Sequence, residues 1–401
     1  MNPVKQIIKM AFQNLILPVI YRISCMKPVD PKLVVFADAH HNERPDNMQL
    51  LISACEKGPW TVREIYLDYQ KNSPLAVLKS MAAFMKLYAR AGYVVICDNF
   101  LPAAGCRKRP QTKVIQLWHA CGSLKRFGYD TTDDIPASYR GHVFRNTDLV
   151  TVSAPWCEAR FASAMRLSKD HVSALGVSRT DRYFDPAWTE EARRKFVDVF
   201  PDAAGKKIAL WAPTFRGSAG APQSIPFDAH ALEQALGSDW RVIVSTHPHM
   251  KDGRVLITTE ELFVTADCLI ADYSSLIYEY ILMLQILGRS GSRVVLYTPD
   301  FEEYVSKRGF YMPYTDIPGT QVSRFEDLAG AVRAAVEEEC TAEADGKNCA
   351  AERAEQKDRA SVTGGAMTRE AFLKKYMSAC DGRSTQRILD WMKQNRTRHR
   401  N

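Results

Sequence analysis

ELFVTADCLIADYSSLIYEY, residues 261–280, combines a buried strand, a polar turn and a helix in one continuous stretch. Cys268, Leu269, Ile270 and Ala271 are a short apolar run of the kind that forms a fully buried strand. Asp272-Tyr273-Ser274-Ser275 then interrupts it with an acid and two small hydroxyls, the signature of a helix N-terminus. From Leu276 to Leu287 the period becomes helical, with Ile277, Tyr280, Ile281, Leu284 and Leu287 on one face. A helix that starts this way points its first N–H groups out of the turn, and unpaired donors at the positive dipole end attract anions. Glu279 follows one turn after Ser275, where a carboxylate can accept from a sugar hydroxyl. The same letters also describe a capped helix with no ligand, and the stretch alone leaves both readings open.

Working outward, the same strand–helix rhythm recurs on both sides. LVVFA (33–37), TVREIYL (61–67), YVVIC (93–97), KVIQLWH (113–119) and LVTVSA (149–154) read as strands. Helical segments at 48–55, 74–91 and 156–165 alternate with them. Charged residues from Asp185 to Lys207 read as an interdomain connection, after which KIALWAP (207–213), a helix at 229–236, RVIVSTH (241–247) and RVVLYTP (293–299) restart the pattern. Apolar strands alternating with helices imply parallel, doubly wound sheets. With 401 residues, two such domains are expected. In this architecture ligands bind beyond the carboxyl ends of the strands.

The ends of the chain read differently. Between Val4 and Lys27, Ile7, Ile8, Ala11, Phe12, Leu15, Ile16, Val19 and Ile23 recur at helical spacing, flanked by Lys5, Lys9, Arg22 and Lys27. Gln13, Asn14 and Pro18 break the run too often for a membrane span, and no small-residue cleavage site follows it. It is either an amphipathic helix lying on an anionic membrane or a helix packed on its own domain. The Ala- and Glu-rich segment from Val336 to Arg359 reads as a solvated helix or excursion, and Met367 to Lys393 regains amphipathic periodicity ahead of a basic tail.

Composition narrows the function classes. The chain is 46% apolar and 25% charged with a formal net charge of +7, which suits anionic ligands or an anionic surface. No basic stripe with interleaved aromatics and no nucleic-acid-binding motif is present, so nucleic acid is not an expected partner. Ten cysteines include no CxxC pair, and several sit inside apolar runs, as reduced core residues do. A reducing, cytoplasmic setting without structural zinc follows. The acidic run Asp130, Asp133, Asp134 is either a divalent-ion site or a solvated loop, and its lack of a liganding pattern favours the loop.

Four polar clusters lie just past predicted strands. In Trp118-His119-Ala120-Cys121-Gly122-Ser123-Leu124-Lys125, His119 is either an exposed base or a structural loop histidine. In Gly176-Val177-Ser178-Arg179-Thr180-Asp181, Arg179 pairs with a phosphate or with Asp181. Ala212-Pro213-Thr214-Phe215-Arg216-Gly217 offers Thr214 and Arg216 at another strand-end turn. Thr246-His247-Pro248-His249 offers two histidines that spacing does not separate.

Six blocks in this order, QLWHACGSLKRFGYD, GVSRTDRYF, WAPTFRG, STHPH, ADCLIADYSSLIYEY and YTPDFEEYVSKRGFY, closely resemble the CDP-glycerol glycerophosphotransferase family of teichoic acid primases and polymerases. The resemblance spans roughly Val34 to Met392. It implies a GT-B fold, two Rossmann-like doubly wound domains facing a central cleft. The implied organisation is a membrane-contacting helix over 1–28, an acceptor domain over 29–190, a CDP-donor domain over 191–366, and helices with a basic tail over 367–401.

The resemblance further implies transfer of glycerol phosphate from CDP-glycerol to a lipid-linked acceptor, releasing CMP, at the inner face of the cell membrane. CDP-ribitol as donor, or a sugar transferase of the same fold, is the alternative. The family's two histidines fall on His119 and on His247 rather than His249. Asp272, Ser274 and Ser275 would face the donor pyrophosphate, Glu279 the ribose, and Thr214, Arg216, Arg179, Gly122 and Lys125 the phosphates or acceptor. No cofactor or metal is implied, because helix dipole, histidines and arginines supply the positive charge. The chain departs from the family at Ala120-Cys121-Gly122, where Gly-Thr-Pro is usual, and in the long basic segment LQILGRSGSR (284–293).

Overall fold

Each of the apolar runs named above becomes a strand of one of two parallel sheets in the computed structural model. It describes residues 12–135, 141–214, 216–218, 221–223, 225–245, 256–337 and 367–397. Two compact units divide the chain: Met1–Ala120, Phe127–Arg182 and Ser378–Asn401 form the first, Cys121–Arg126 and Tyr183–Met377 the second.

In the first unit, β1 (Asp30–Asp38), β2 (Thr61–Tyr66), β3 (Ala91–Ile96), β4 (Lys113–Gln116), β5 (Leu149–Thr151) and β6 (Val172–Ser173) pair in the order β2-β1-β3-β4-β5-β6. All of these pairings are parallel. Successive side chains of a strand point to opposite faces, so Val34 and Phe36 enter one core and Val35 and Ala37 the other. The second of these cores takes Phe84, Met85 and Tyr88 from the helix Pro74–Tyr88, and Leu17 and Tyr21 from the helix Leu17–Ser24. The first takes Met48, Leu51 and Ile52 from the helix Asp46–Glu56, with Ile388, Leu389 and Met392 from the helix Ser384–Thr397. Helices on both faces explain why β3 is buried at every position.

The reading of the N-terminal segment as a helix packed on its own domain holds for one side of it. Tyr21 packs 5.1 Å from the Tyr88 ring and its hydroxyl accepts the Arg109 N–H at 2.9 Å. Leu15, Ile16, Val19, Ile23 and Met26 remain exposed. Pro18 falls in the first turn of the α-helix, where its missing N–H costs nothing, after a π-turn at Phe12–Ile16. The expected start of the helix at Val4 lies outside the described residues. No described helix is long and apolar enough to cross a membrane.

The second unit holds β7 (Lys207–Ala212), β8 (Arg216–Ser218), β9 (Ala221–Gln223), β10 (Trp240–Val244), β11 (Cys268–Ala271), β12 (Val294–Tyr297) and β13 (Thr320–Val322). Five of them form a parallel sheet in the order β10-β7-β11-β12-β13, and β8 and β9 make a short antiparallel hairpin. Trp211, Leu232, Ile270, Val295 and Val332 lie in its core. The helix expected after the opening strand runs over Leu276–Ile286.

Two expectations are corrected. Most of the stretch from Asp185 to Lys207 is a helix, Pro186–Val199, and not a loop connection. Asp185 caps it by accepting from Ala187 N–H at 2.9 Å, Pro186 occupies its first turn, and Thr189, Ala192 and Phe196 are its buried stripe. That stripe is narrow and flanked by charge, which hid it. The strand read as 113–119 ends at Gln116, so His119 stands on a loop beyond it. Most of the Ala/Glu-rich tail, 338–366, and the basic end beyond 397 lie outside the described residues.

Candidate functional site

Both sheets reverse their strand order beside their first strand: β1 lies between β2 and β3, and β7 between β10 and β11. At such a switch point the loops leaving adjacent strands diverge, and a crevice opens at the carboxyl ends. Asp38 and Asp98 lie at the first of these places and Thr214 and Asp272 at the second, while His119 follows the next strand over, β4.

In the first unit, Asp38 ends β1, Asp98 follows β3 and His119 follows β4. His119 Nδ1 lies 3.1 Å from Asp98 Oδ2, with the two side chains 45% and 27% exposed. Asn99 N–H donates to Asp98 Oδ1 at 2.6 Å, and His40 Nε2 stands 4.0 Å from that same oxygen. Burial works against ionisation of Asp98, but the adjacent His119 and His40 and the Asn99 N–H outweigh it and hold the carboxyl well below its usual range.

The loop is clamped from beneath. Gln116, fully buried, donates to the Asp98 carbonyl at 3.0 Å and accepts from Trp118 N–H at 2.9 Å. Trp118 adopts the left-handed region, φ 59°, a conformation that bulky residues hold only when their surroundings fix them. Its ring is buried against Phe127 and Phe161 and stacks on the His119 imidazole at 4.4 Å. Arg179, largely buried, donates to the His119 carbonyl at 2.9 Å and to Asn47 Oδ1. Asp181, the alternative partner read from sequence, accepts the N–H groups of Ser384 and Thr385 at 3.0 and 2.7 Å and so caps the last helix.

Beside this cluster, Asp38 Oδ2 accepts from the His40 and His41 N–H groups and meets His41 Nδ1 at 2.8 Å. Within the former acidic run, Asp134 accepts from Gly128 N–H and Asp130 from the Ser163 hydroxyl. No group of three or more His, Cys, Asp or Glu side chains among the described residues is arranged to hold a metal.

In the second unit, Asp272 has no exposed surface. Its Oδ1 accepts from Thr214 and Tyr273 N–H at 2.8 and 2.6 Å, and its Oδ2 meets Arg216 at 2.9 Å. The Arg216 guanidinium also forks onto Asp300 at 2.7 and 3.1 Å and lies 4.9 Å from the centres of the Tyr273 and Tyr304 rings. Burial disfavours its charge, but Asp300 and Asp272 outweigh that and raise its pKa further. Arg216 therefore braces the turn, tying β8 to the ends of β7, β11 and β12. Thr214 Oγ1 is buried with no hydrogen-bond partner.

Ser274 and Ser275 are half-buried at the start of the helix Leu276–Ile286. Ser274 Oγ accepts from Leu276 N–H at 3.3 Å, whereas the Ser275 side chain caps nothing. Glu279 is fully buried, and the Tyr183 hydroxyl donates to it at 2.5 Å. Gly122, φ +64°, lies flat against the buried Tyr278 ring, and Lys125 bridges to Phe310. His247, with its neighbours 246–255, lies outside the described residues.

The structure thus groups His119 with Arg179, and Asp272 with Arg216, Thr214 and the two serines. Asp98, Gln116, Asp300 and Tyr183 were missed by the reading from sequence. For Asp98 a signal existed, an acid directly after the run YVVIC at the end of a strand.

The model of the CDP-Glycerol:Poly(glycerophosphate) glycerophosphotransferase family matches residues 19–363. The chain belongs to this family. The teichoic acid ribitol-phosphate primase of Bacillus spizizenii is 28% identical over 92% of this chain and 93% of its own length. The teichoic acid glycerol-phosphate primase of Bacillus subtilis is 30% identical over 67% of this chain and 71% of its own. Of the Staphylococcus aureus ribitol-phosphate polymerase TarK, which is 32% identical, this family member spans only half. A structure of the wall teichoic acid polymerase TagF soaked with CDPG superposes with a TM-score of 0.68 at 20% identity, covering 99% of this chain and 97% of that one. The fold is of the GT-B type, as the six blocks implied.

Proposed function

We propose that this family member transfers a polyol phosphate from a CDP-linked donor to a hydroxyl of a lipid-linked acceptor and releases CMP. The observation that carries this reading is His119, an accessible imidazole at the carboxyl ends of its sheet with one nitrogen taken by a carboxylate. Phosphoryl transfer asks for positioning and charge stabilisation rather than for covalent chemistry. His119 removes the acceptor's hydroxyl proton as that oxygen attacks the donor's β-phosphorus. Ser274, Ser275, the N–H groups that open their helix, and His247 stabilise the departing CMP phosphate. Asp272, Arg216 and Thr214 set the shape of that turn. Arg179 fixes the His119 backbone, Gly122 and Lys125 carry the loop that follows it, and Glu279 holds the helix through Tyr183; a ribose contact at Glu279 requires that hydroxyl to move aside.

CDP-glycerol is the donor in the first reading, supported by the family's name. CDP-ribitol is the second, favoured by the near full-length match to a ribitol-phosphate primase. Incubating the protein with CDP-glycerol, CDP-ribitol or a panel of nucleotide sugars, with lipid-linked acceptor, separates them. CMP release from one CDP-polyol is expected. Turnover of a nucleotide sugar, with neither CDP-polyol consumed, overturns the proposal.

For the acceptor to be lipid-linked, the protein must work at a membrane. The exposed Leu15, Ile16, Val19, Ile23 and Met26, beside Arg22 and Lys27, support peripheral binding to an anionic cytoplasmic surface.

A further inference from the structure

We propose that Asp98 is the positioning residue of the transfer reaction: it holds the proton of neutral His119 on Nδ1, leaving Nε2 as the base, and stabilises the imidazolium that forms. The inference rests on the reading of His119 as the base and adds a residue to it. In a neutral imidazole one nitrogen donates and the other accepts, and the partner of the first decides which one is free. Here the partner of Nδ1 is a carboxylate oxygen 3.1 Å away.

That carboxylate cannot readily turn elsewhere. Its other oxygen takes the Asn99 N–H, its backbone carbonyl takes Gln116, and Gln116 in turn holds the backbone of Trp118, the residue before His119. One buried amide therefore fixes both ends of the pair. The imidazole has its own constraints in the stacked Trp118 ring and in Arg179 at its carbonyl. A capped histidine of purely structural use does not call for a strained tryptophan, a buried glutamine and a buried arginine around an imidazole that stays 45% exposed.

The charge balance follows from these contacts. As the acceptor O–H bond breaks and its oxygen bonds to the β-phosphorus, the proton passes to His119 Nε2, and the bond to the CMP oxygen breaks. The ring then carries a positive charge next to Asp98, which remains ionised. The other groups facing the pair are His40, whose Nε2 is buried without a hydrogen-bond partner and points at Asp98 from 4.0 Å, and the Asp38–His41 pair on the neighbouring strand.

Nitrogen NMR of the His119 ring in the whole protein tests the inference. The neutral ring of the unaltered protein is expected as the Nδ1–H tautomer. In Asp98→Asn the ring population is expected to shift toward the Nε2–H tautomer, with kcat reduced at least about tenfold, up to the roughly 10²–10⁴-fold that a general base contributes. The KM for the donor is expected to hold, and Asp98→Glu to recover part of kcat. An Nε2–H tautomer in the unaltered protein, or an unmoved tautomer population in Asp98→Asn, overturns the inference. The first readout needs no variant to fold. Should His119→Ala transfer at the unaltered rate while Asp98→Asn still shifts the ring, the base reading fails and the geometric one stands.

Discussion

Arg216 and Asp272 meet at 2.9 Å around a carboxylate with no exposed surface. Removing one partner of such a pair strands the other in a medium that solvates it poorly. Arg216→Ala is therefore expected to cost about 3–5 kcal/mol of stability, the range for breaking a buried ion pair, measured by denaturant unfolding. Arg216→Lys keeps a charge but loses the fork onto Asp300, and is expected to fall between the two. An Arg216→Ala protein as stable as the parent would show that the turn does not depend on this brace.

Tyr183→Phe removes the hydroxyl that donates to the buried Glu279. An acceptor left short of a donor costs roughly 1–3 kcal/mol. The expected result is a lower melting temperature with the helix Leu276–Ile286 displaced, read out as weaker binding of CDP by calorimetry. Equal CDP affinity in the variant would separate this contact from the donor site.

Gly122→Ala places a Cβ 2.4 Å from two atoms of the Tyr278 ring at a φ of +64°. The ring is fully buried, and its hydroxyl meets Met312 sulfur, so it has little room to yield. Overpacking of this sort costs about 1–3 kcal/mol, and the left-handed backbone adds to it. Lower stability together with lower transfer rate is expected from thermal unfolding and CMP release. The family's usual glycine two residues earlier, where this chain has Ala120, is not a substitute, since the close approach is at 122.

The Asp38–His41 pair makes a signed prediction for pH. The hydrogen bond to Asp38 raises the pKa of His41 in spite of partial burial. Burial raises that of Asp38, but His41 and the His40 N–H outweigh it and lower it. The His41 contribution is present below the unfolded value of about 6.5 and is lost as pH rises through the raised folded value. The Asp38 contribution is present above about 3.9 and is lost as pH falls through the lowered one. Stability of the first unit is thus expected to decline between slightly acidic and alkaline pH. Asp38→Asn should abolish that decline in melting curves, and salt should weaken it, because His41 is half exposed.

The exposed face of the first helix is testable without touching its core side. Val19→Ser with Ile23→Ser and Met26→Ser leaves Leu17 and Tyr21 in place. Binding to anionic phosphatidylglycerol vesicles in a sedimentation assay is expected to drop at least about tenfold, as burial of each large apolar side chain contributes roughly 1.5–3 kcal/mol. Undiminished binding would assign membrane contact to other residues.

Much of this was legible in the order of residues. The run CLIA followed by DYSS produced a strand with the bounds read for it and a helix that starts where read and ends one residue earlier, because a fully buried strand and a polar turn opening a helix are both local patterns. The helix Ala229–Leu236 was legible for the same reason. The helix Pro186–Val199 was not, since only three of its residues are buried and charged residues crowd around that narrow stripe. The site was legible as a set of strand-end residues but not as partnerships. Asp272 and Arg216, and His119 and Asp98, are joined by strand adjacency, which sequence distance does not encode. Arg179 shows the limit well: its nearest acid in sequence, Asp181, is used by a helix two hundred residues later, as its bond to Ser384 shows.

That last helix, Ser384–Thr397, places Ile388 and Met392 in the core of the first unit and accepts the Tyr93 hydroxyl at the Met392 carbonyl at 2.5 Å. During synthesis, domains usually mature in the order in which they leave the ribosome. Here the order is inverted: the second unit has all its residues by Met377, while the first, begun earlier, is completed only by residues made after that point. A ribosome stalled past residue 377 would carry a finished second unit and an open, sticky first one for chaperones. Loss of a short stretch near residue 390 would then act as a folding lesion in the unit made first.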